Sequence, residues 1–388
     1  MDKNAIIARL NKPSFRLKLK ANTEAIISRI RPDGFFAESL TGTYRGMFPR
    51  TLGGLARLLS VTGQLNRLEP SLDYCLDAMT QFDSATVPHV IGDRDPQSGA
   101  IRFIDTIDQI DGQAHFILAW AIGASGNPGS AFEDRSYERV ASLLDRTTSG
   151  PWLCFSTSWR IEPGLVLNTH LEHSREDQYW HAYDFLSQAF VAAALERMIP
   201  VASRRNDARR AAVWTERLAA LGKNIASNLT CERDGTTVYL EMLLPTGREP
   251  LPFDGLGWIN LASVASGWTG VDRQILRQTI RLWHKLATVE INDVRLTSCD
   301  WPLTNGRIET YGKMLVWDFL FCLQEEWYDD AAMILDFIET MDKGELFTER
   351  FRYDPTASRW ETQDAGNGEQ CVWMCWGFLE AMKLLGIR

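Results

Sequence analysis

Acidic and aromatic side chains crowd into residues 172–198, EHSREDQYWHAYDFLSQAFVAAALERM. Glu172, Glu176, Asp177, Tyr179 and Trp180 lead into a segment, Ala182 to Leu195, that is apolar on nearly every helical face. A helix of that kind is buried, so the side chains at its mouth line a pocket. Glu176 and Asp177 are adjacent, and burial together with a neighbouring negative charge raises a carboxyl pKa. Such a group suits acid/base work. One protonated carboxyl gives its proton to a leaving oxygen while an ionised one activates water or attacks carbon. His170 and His173 have His-x-x-His spacing, a weak metal signal without further ligands, and no metal or cofactor is expected.

Five other stretches repeat this layout of a polar, aromatic approach and an apolar run. FFAESLTGTYRGMFPRTLGG carries Tyr44, Arg45 and Arg50; Arg50 either holds substrate oxygens or pairs with a loop carboxylate. IDTIDQIDGQAH carries Asp108, read as pocket-lining, and Asp111, which suits either a pocket wall or a helix N-cap. REPLPFDGLGWIN supplies Asp254 and Trp258, and TSCDWPLTNGRIETYGK supplies Asp300, Trp301, Arg307, Glu309 and Tyr311. Trp180, Trp258 and Trp301 fit the apolar faces of sugar rings. The last stretch runs from TERF, with Glu349, through YDPTASRW and QDAGNGEQ to VWMCWGFLEAM, where Trp373 and Trp376 read as core.

Positioning these groups takes two alternating kinds of helix. Amphipathic ones, exemplified by Ala211, Trp214, Leu218, Leu221 and Ile225 at 3-4 spacing, are expected near 22–31, 68–82, 132–146, 203–228, 272–286 and 328–341. Helices apolar all round are expected at 51–61, 113–122, 182–198, 256–266, 311–323 and 369–385. TVYLEML (237–243) is the best strand-like run, so the class is all-α with minor β in loops. The links into the inner helices are the long ones, and loops of that size in a compact domain usually serve a site. They gather on one face.

No linker or low-complexity run divides the 388 residues, so one domain is expected, 1–388, with a short N-terminal arm over 1–15. Net charge −9 and pI near 5.3 argue against nucleic-acid or anionic-membrane partners. Seven scattered cysteines suit a reducing compartment, and a cytoplasmic location is the expectation.

The sixth stretch resembles the C-terminal segment of the glucoamylase family, in which a catalytic glutamate in an acidic-aromatic loop precedes a Trp-containing final helix. FPRTLGG resembles that family's first inner-helix motif, with Thr51 where an aspartate is common, and IDQIDGQAH resembles its Asp-Gly helix start. The resemblance implies an α/α six-hairpin barrel, or toroid, of about twelve helices with long loops on one face. It also implies Glu349 as general base, with Glu361, Asp364 and Glu369 as rivals in the same loop. The family's Trp-Glu-Glu motif falls on Trp180-His181-Ala182, so Asp177, Glu176 or Asp184 must supply the acid from a shifted position. A glycoside hydrolase acting on the end of a small saccharide follows, with inversion as the expected outcome. The alternatives are a sugar epimerase/isomerase or polysaccharide lyase using His115, His173, His181 or a Tyr as base, and a non-catalytic saccharide-binding protein.

Overall fold

The computed structural model describes residues 2–105, 109–149, 164–168, 181–246, 257–299 and 308–387. Among them are thirteen α-helices. The outer ones are α2 (Pro13–Arg29), α4 (Leu68–Gln81), α6 (Ala131–Thr148), α8 (Ala208–Asn228), α10 (Arg273–Ala287) and α12 (Tyr328–Met341). The inner ones are α3 (Thr51–Val61), α5 (Ile110–Gly126), α7 (Phe185–Arg204), α9 (Ala262–Ser266), α11 (Gly312–Gln324) and α13 (Gly368–Leu384). Helix α10 shows why the outer set forms. Asp272 caps it by accepting from the N–H groups of Gln274 and Ile275, Leu276, Ile280 and Trp283 face inward, and Arg277 and Lys285 face out. Helix α5, by contrast, is buried on every side from Ile110 to Ala121.

Each inner helix packs on the next, from α3 through α5, α7, α9 and α11 to α13, and α13 returns to α3. The ring is therefore a closed α/α barrel rather than an open solenoid. Close approach depends on glycine. A Cβ on Gly377 would lie 2.3 Å from Val316 Cγ2, and one on Gly54 would lie 2.9 Å from Trp373. The wall so formed buries Trp120, Phe190, Trp317 and Trp373 at 0–1% exposure, and each large apolar side chain fully buried contributes about 1.5–3 kcal/mol. One helix, Phe185–Arg204, is long and apolar enough to cross a membrane, but 78% of its most apolar window is buried inside the barrel.

Three local differences from the sequence reading have physical causes. The expected arm contains a helix, α1 (Lys3–Leu10), because Ile6 and Leu10, one turn apart, are fully buried and Arg9 pairs with Asp336 and Glu339 of α12. The fourth inner helix is short. A 3-10 turn, Trp258–Leu261, leads into α9, and Gly267 in the left-handed region ends it. The strand-like run is split into β5 (Thr236–Tyr239), paired with β4 (Thr230–Arg233), and β6 (Met242–Leu243), paired with β3 (Tyr183–Asp184).

The remaining strands are β1 (Val90–Arg94) with β2 (Ile101–Asp105), β7 (Thr288–Ile291) with β8 (Val294–Thr297), and a sheet of β9 (Ile308–Tyr311), β10 (Arg350–Asp354) and β11 (Arg359–Gln363). This last sheet ties the fifth and sixth long loops together. Glutamines in the first turns of inner helices do the same for others. Gln113 accepts from Val87 N–H and donates to Val87 O at 2.8 and 2.7 Å, and Gln188 repeats the pattern on Val166 at 2.8 and 2.7 Å.

Candidate active site

The starts of the inner helices open on one face, and an ion network lies at its base. Glu369, in the first turn of α13, accepts from Lys313 Nζ at 2.9 Å, and its other oxygen is 3.4 Å from Arg50 Nε. Lys313 is in the first turn of α11; the two residues are 4% and 2% exposed. Glu38 joins them. It accepts from the Glu369 N–H at 2.8 Å and from the Thr51 hydroxyl at 2.6 Å. Burial and the Glu369 charge push the Glu38 carboxyl well above the usual range. Burial also opposes ionisation of Glu369, but Lys313 and Arg50 overcome it and hold that carboxyl below the usual range. Neighbouring carboxyls separate in this way when the cations pair directly with one of them.

Glu349 stands above this network. The Gly312 N–H donates to its backbone oxygen at 2.8 Å, which fixes the residue over the start of α11. Its Oε2 is enclosed and has no hydrogen-bond partner. Burial first, and the charges of Asp364 and Glu369 after it, push the carboxyl up to about 7 against the opposing pull of Arg350 and Lys313. Tyr44, 38% exposed, borders the same charges, because burial, Glu349 and Asp364 raise its phenol. Arg350 is held by Glu309. The Glu309 carboxylate is fully buried, accepts from the Tyr311 hydroxyl at 2.6 Å and lies 3.9 Å from Arg350 Nε, while the guanidinium sits 5.2 Å over the Tyr311 ring. Trp258, 1% exposed, forms the wall behind Lys313, whose Nζ is 5.7 Å from its ring.

Asp111 is not the cap of its helix. It lies in the first turn of α5, after Gln109, and its fully buried carboxylate accepts from Asn168 Nδ2 at 3.4 Å. Asp184 is the cap of α7. One oxygen accepts from the Ser187 N–H at 2.7 Å and the other from its hydroxyl at 2.8 Å, so this rival acid is committed locally. Burial, with Asp111 nearby, pushes it up to about 7. Glu361 is drawn away by Arg359 at 2.9 Å. His115 packs 3.7 Å from the Phe190 ring, and burial with Lys313 and Arg50 pushes it down to about 3.

The structure thus brings together Glu349, Arg50, Tyr44, Glu309, Trp258 and Asp111. Asp177, Glu176, Trp180, Asp108, Asp254, Trp301, Arg307 and His173 lie outside the described residues. Sequence reasoning missed Glu38, Lys313 and Glu241. Glu241 is 1% exposed and fits against Gly257, where a Cβ would come 2.1 Å from its carboxylate. Lys313 did leave a signal, a lone cation opening an apolar run.

No family model matches the chain, and no curated protein matches it in sequence. Solved structures do match in fold, and the barrel is the one the six-hairpin glycosidases share. A bacterial glucoamylase complexed with acarbose superimposes with TM-score 0.65 at 14% identity, over 95% of this chain and 56% of that one. A glycosidase matches with TM-score 0.63 at 14% identity over 98% of both chains. A metal-independent α-mannosidase from Streptococcus pneumoniae, in a non-productive complex with α-1,6-mannobiose, matches with TM-score 0.65 at 13% identity over 100% of this chain and 97% of that one. The chain spans little more than half the glucoamylase, and at these identities the likeness is one of fold.

Proposed function

We propose that this protein is a glycoside hydrolase that cleaves a terminal glycosidic bond of a small, mostly neutral saccharide, with inversion. The observation that carries the reading is Glu349, whose carboxyl burial pushes up to about 7 and whose Oε2 is enclosed without a hydrogen-bond partner beside the start of α11. Glu349 takes a proton from water as the water oxygen bonds to the anomeric carbon. Asp177, or Glu176, gives a proton to the departing oxygen as the old bond breaks. In this reading Arg50, Tyr44 and Lys313 hold sugar hydroxyls, and Trp180 and Trp301 are the aromatic residues assigned to sugar faces. Asp108, Asp111 and Asp254 are assigned to further sugar hydroxyls. Six described cysteines are free thiols, which supports a reducing, cytoplasmic setting.

The epimerase or lyase alternative needs a competent histidine or tyrosine base. His115, held near 3 against Phe190, is a weak one, and the Tyr311 hydroxyl is tied to Glu309 with its ionisation pushed up by burial. Turnover of aryl glycosides and disaccharides, with the product anomer read by proton NMR, tests the proposal. A new reducing end of inverted configuration is expected. Binding without turnover across the panel, or conversion of free sugars alone, contradicts it.

A further inference from the structure

The other end of the barrel, where the inner helices finish, holds a cavity of about 540 Å³, within the range of small-molecule sites. Arg57, Arg197, Gln324, Trp376, Glu380 and Lys383 line it. Gln324 ends α11 eleven residues beyond Lys313, a separation of roughly 16 Å along the helix, so this cavity is remote from Glu349.

Helix C-termini carry partial negative charge, which favours cations beside them. Three cations meet one carboxylate here, an excess of positive charge in a chain that is acidic as a whole at −9. Glu380 is taken by Lys383 at 3.2 Å. Arg57 donates one terminal N–H to Ser266 O, yet its Nε is enclosed without a partner. The guanidinium lies 5.3 Å over the Trp376 ring, which fixes its plane. Gly267 makes room for it: at φ +68 it closes α9, and a Cβ there would come 2.9 Å from Arg57 Nη2. Arg197, exposed on α7, has no acceptor among the described residues. Burial and the Arg197 charge lower Arg57 to about 10, so Arg57 remains a cation at neutral pH. Two like charges lining one cavity and an unsatisfied buried N–H are unfavourable alone. An oxyanion between them relieves both, because it accepts charge-assisted hydrogen bonds in the guanidinium plane.

We infer that this cavity binds a small organic oxyanion, a phosphate or carboxylate on a body of monosaccharide size, bridged between Arg57 and Arg197. Calorimetric titration of the full chain with glucose 6-phosphate, glucuronate, inorganic phosphate and glucose tests it, in the wild type and in Arg197→Gln, Arg57→Gln and Glu349→Gln. Saturable binding of a charged probe is expected, with no matching site for glucose, and the better of the phosphate and carboxylate arms names the group. Losing one charge-assisted contact should weaken that binding by at least ~10-fold in either arginine variant, while Glu349→Gln leaves it unchanged. Three outcomes overturn the inference: no charged probe binds by about 10 mM, binding is unchanged in the arginine variants, or it is lost in Glu349→Gln, which moves the anion to the other face. Arg197 is exposed, so its variant decides the matter if Arg57→Gln does not fold.

Discussion

Replacing Glu369 by Gln keeps the shape of the side chain and removes the negative charge that Lys313 and Arg50 share at 2.9 and 3.4 Å. Taking one partner out of a buried ion pair costs ~3–5 kcal/mol, because the other charge keeps its desolvation penalty. With an unfolding entropy of ~2.1 cal/mol/K per residue over 388 residues, that corresponds to a fall in Tm of about 4–6 °C at pH 7. The pH dependence carries a second signature. Glu38 is raised in the folded state, so the native protein holds its proton where the unfolded chain has lost it. Stability therefore falls as pH rises from the ordinary glutamate value toward the raised one. Glu369 is lowered and acts in the opposite sense, adding stability that disappears as pH drops below the ordinary value. Glu369→Gln deletes the acid-side contribution outright and, by removing the neighbouring charge, flattens the Glu38 slope. Differential scanning calorimetry from pH 3 to 9 reads both. A variant within ~1 kcal/mol of wild type at pH 7, or an unchanged slope above pH 5, refutes the network as described.

Other consequences follow for the walls around the site. His284 of α10 and Asp318 of α11 form a buried pair at 2.9 Å; burial lowers the imidazole but Asp318 overcomes it and raises it. The pair's stability is present below the ordinary histidine pKa of ~6.5 and is lost as pH rises through the raised value. Asp318→Asn should abolish that dependence and lower the urea midpoint. Gln188→Leu leaves the Val166 N–H and C=O without their partner and should cost ~1–3 kcal/mol, with faster hydrogen exchange at Val166; unchanged exchange would mean that Gln188 does not clamp this segment.

The helical alternation was legible because a buried helix advertises itself. Thr51–Val61 has the bounds its apolar run implies, and the link into α13 is long because it builds β10 and β11. Helix α5 begins earlier than expected, at Ile110, since Asp111 and Gly112 read as loop but sit in its first turn. Ring closure was not readable from periodicity, for α13 meets α3 across more than three hundred residues of chain. The same holds for Glu38. Its significance lies in accepting the Glu369 N–H, 331 positions away, and nothing in AESLTG marks that partner. Glu349 could be singled out only by resemblance, because its unusual titration arises from burial and from Asp364 and Glu369, which the fold brings beside it.

The proposed role of Glu349, proton acceptor of a hydrolytic site, is tested most directly by kcat/KM against pH for wild type and Glu349→Gln on a glycoside the wild type turns over. Since an amide cannot accept the proton, the variant should bind substrate normally and lose ~100- to 10,000-fold in kcat. The wild-type rate should rise through pH about 7 as the carboxyl ionises, and this rise should vanish in the variant. Turnover by Glu349→Gln at the wild-type rate, or a retained ionisation near 7 in its profile, would contradict the assignment.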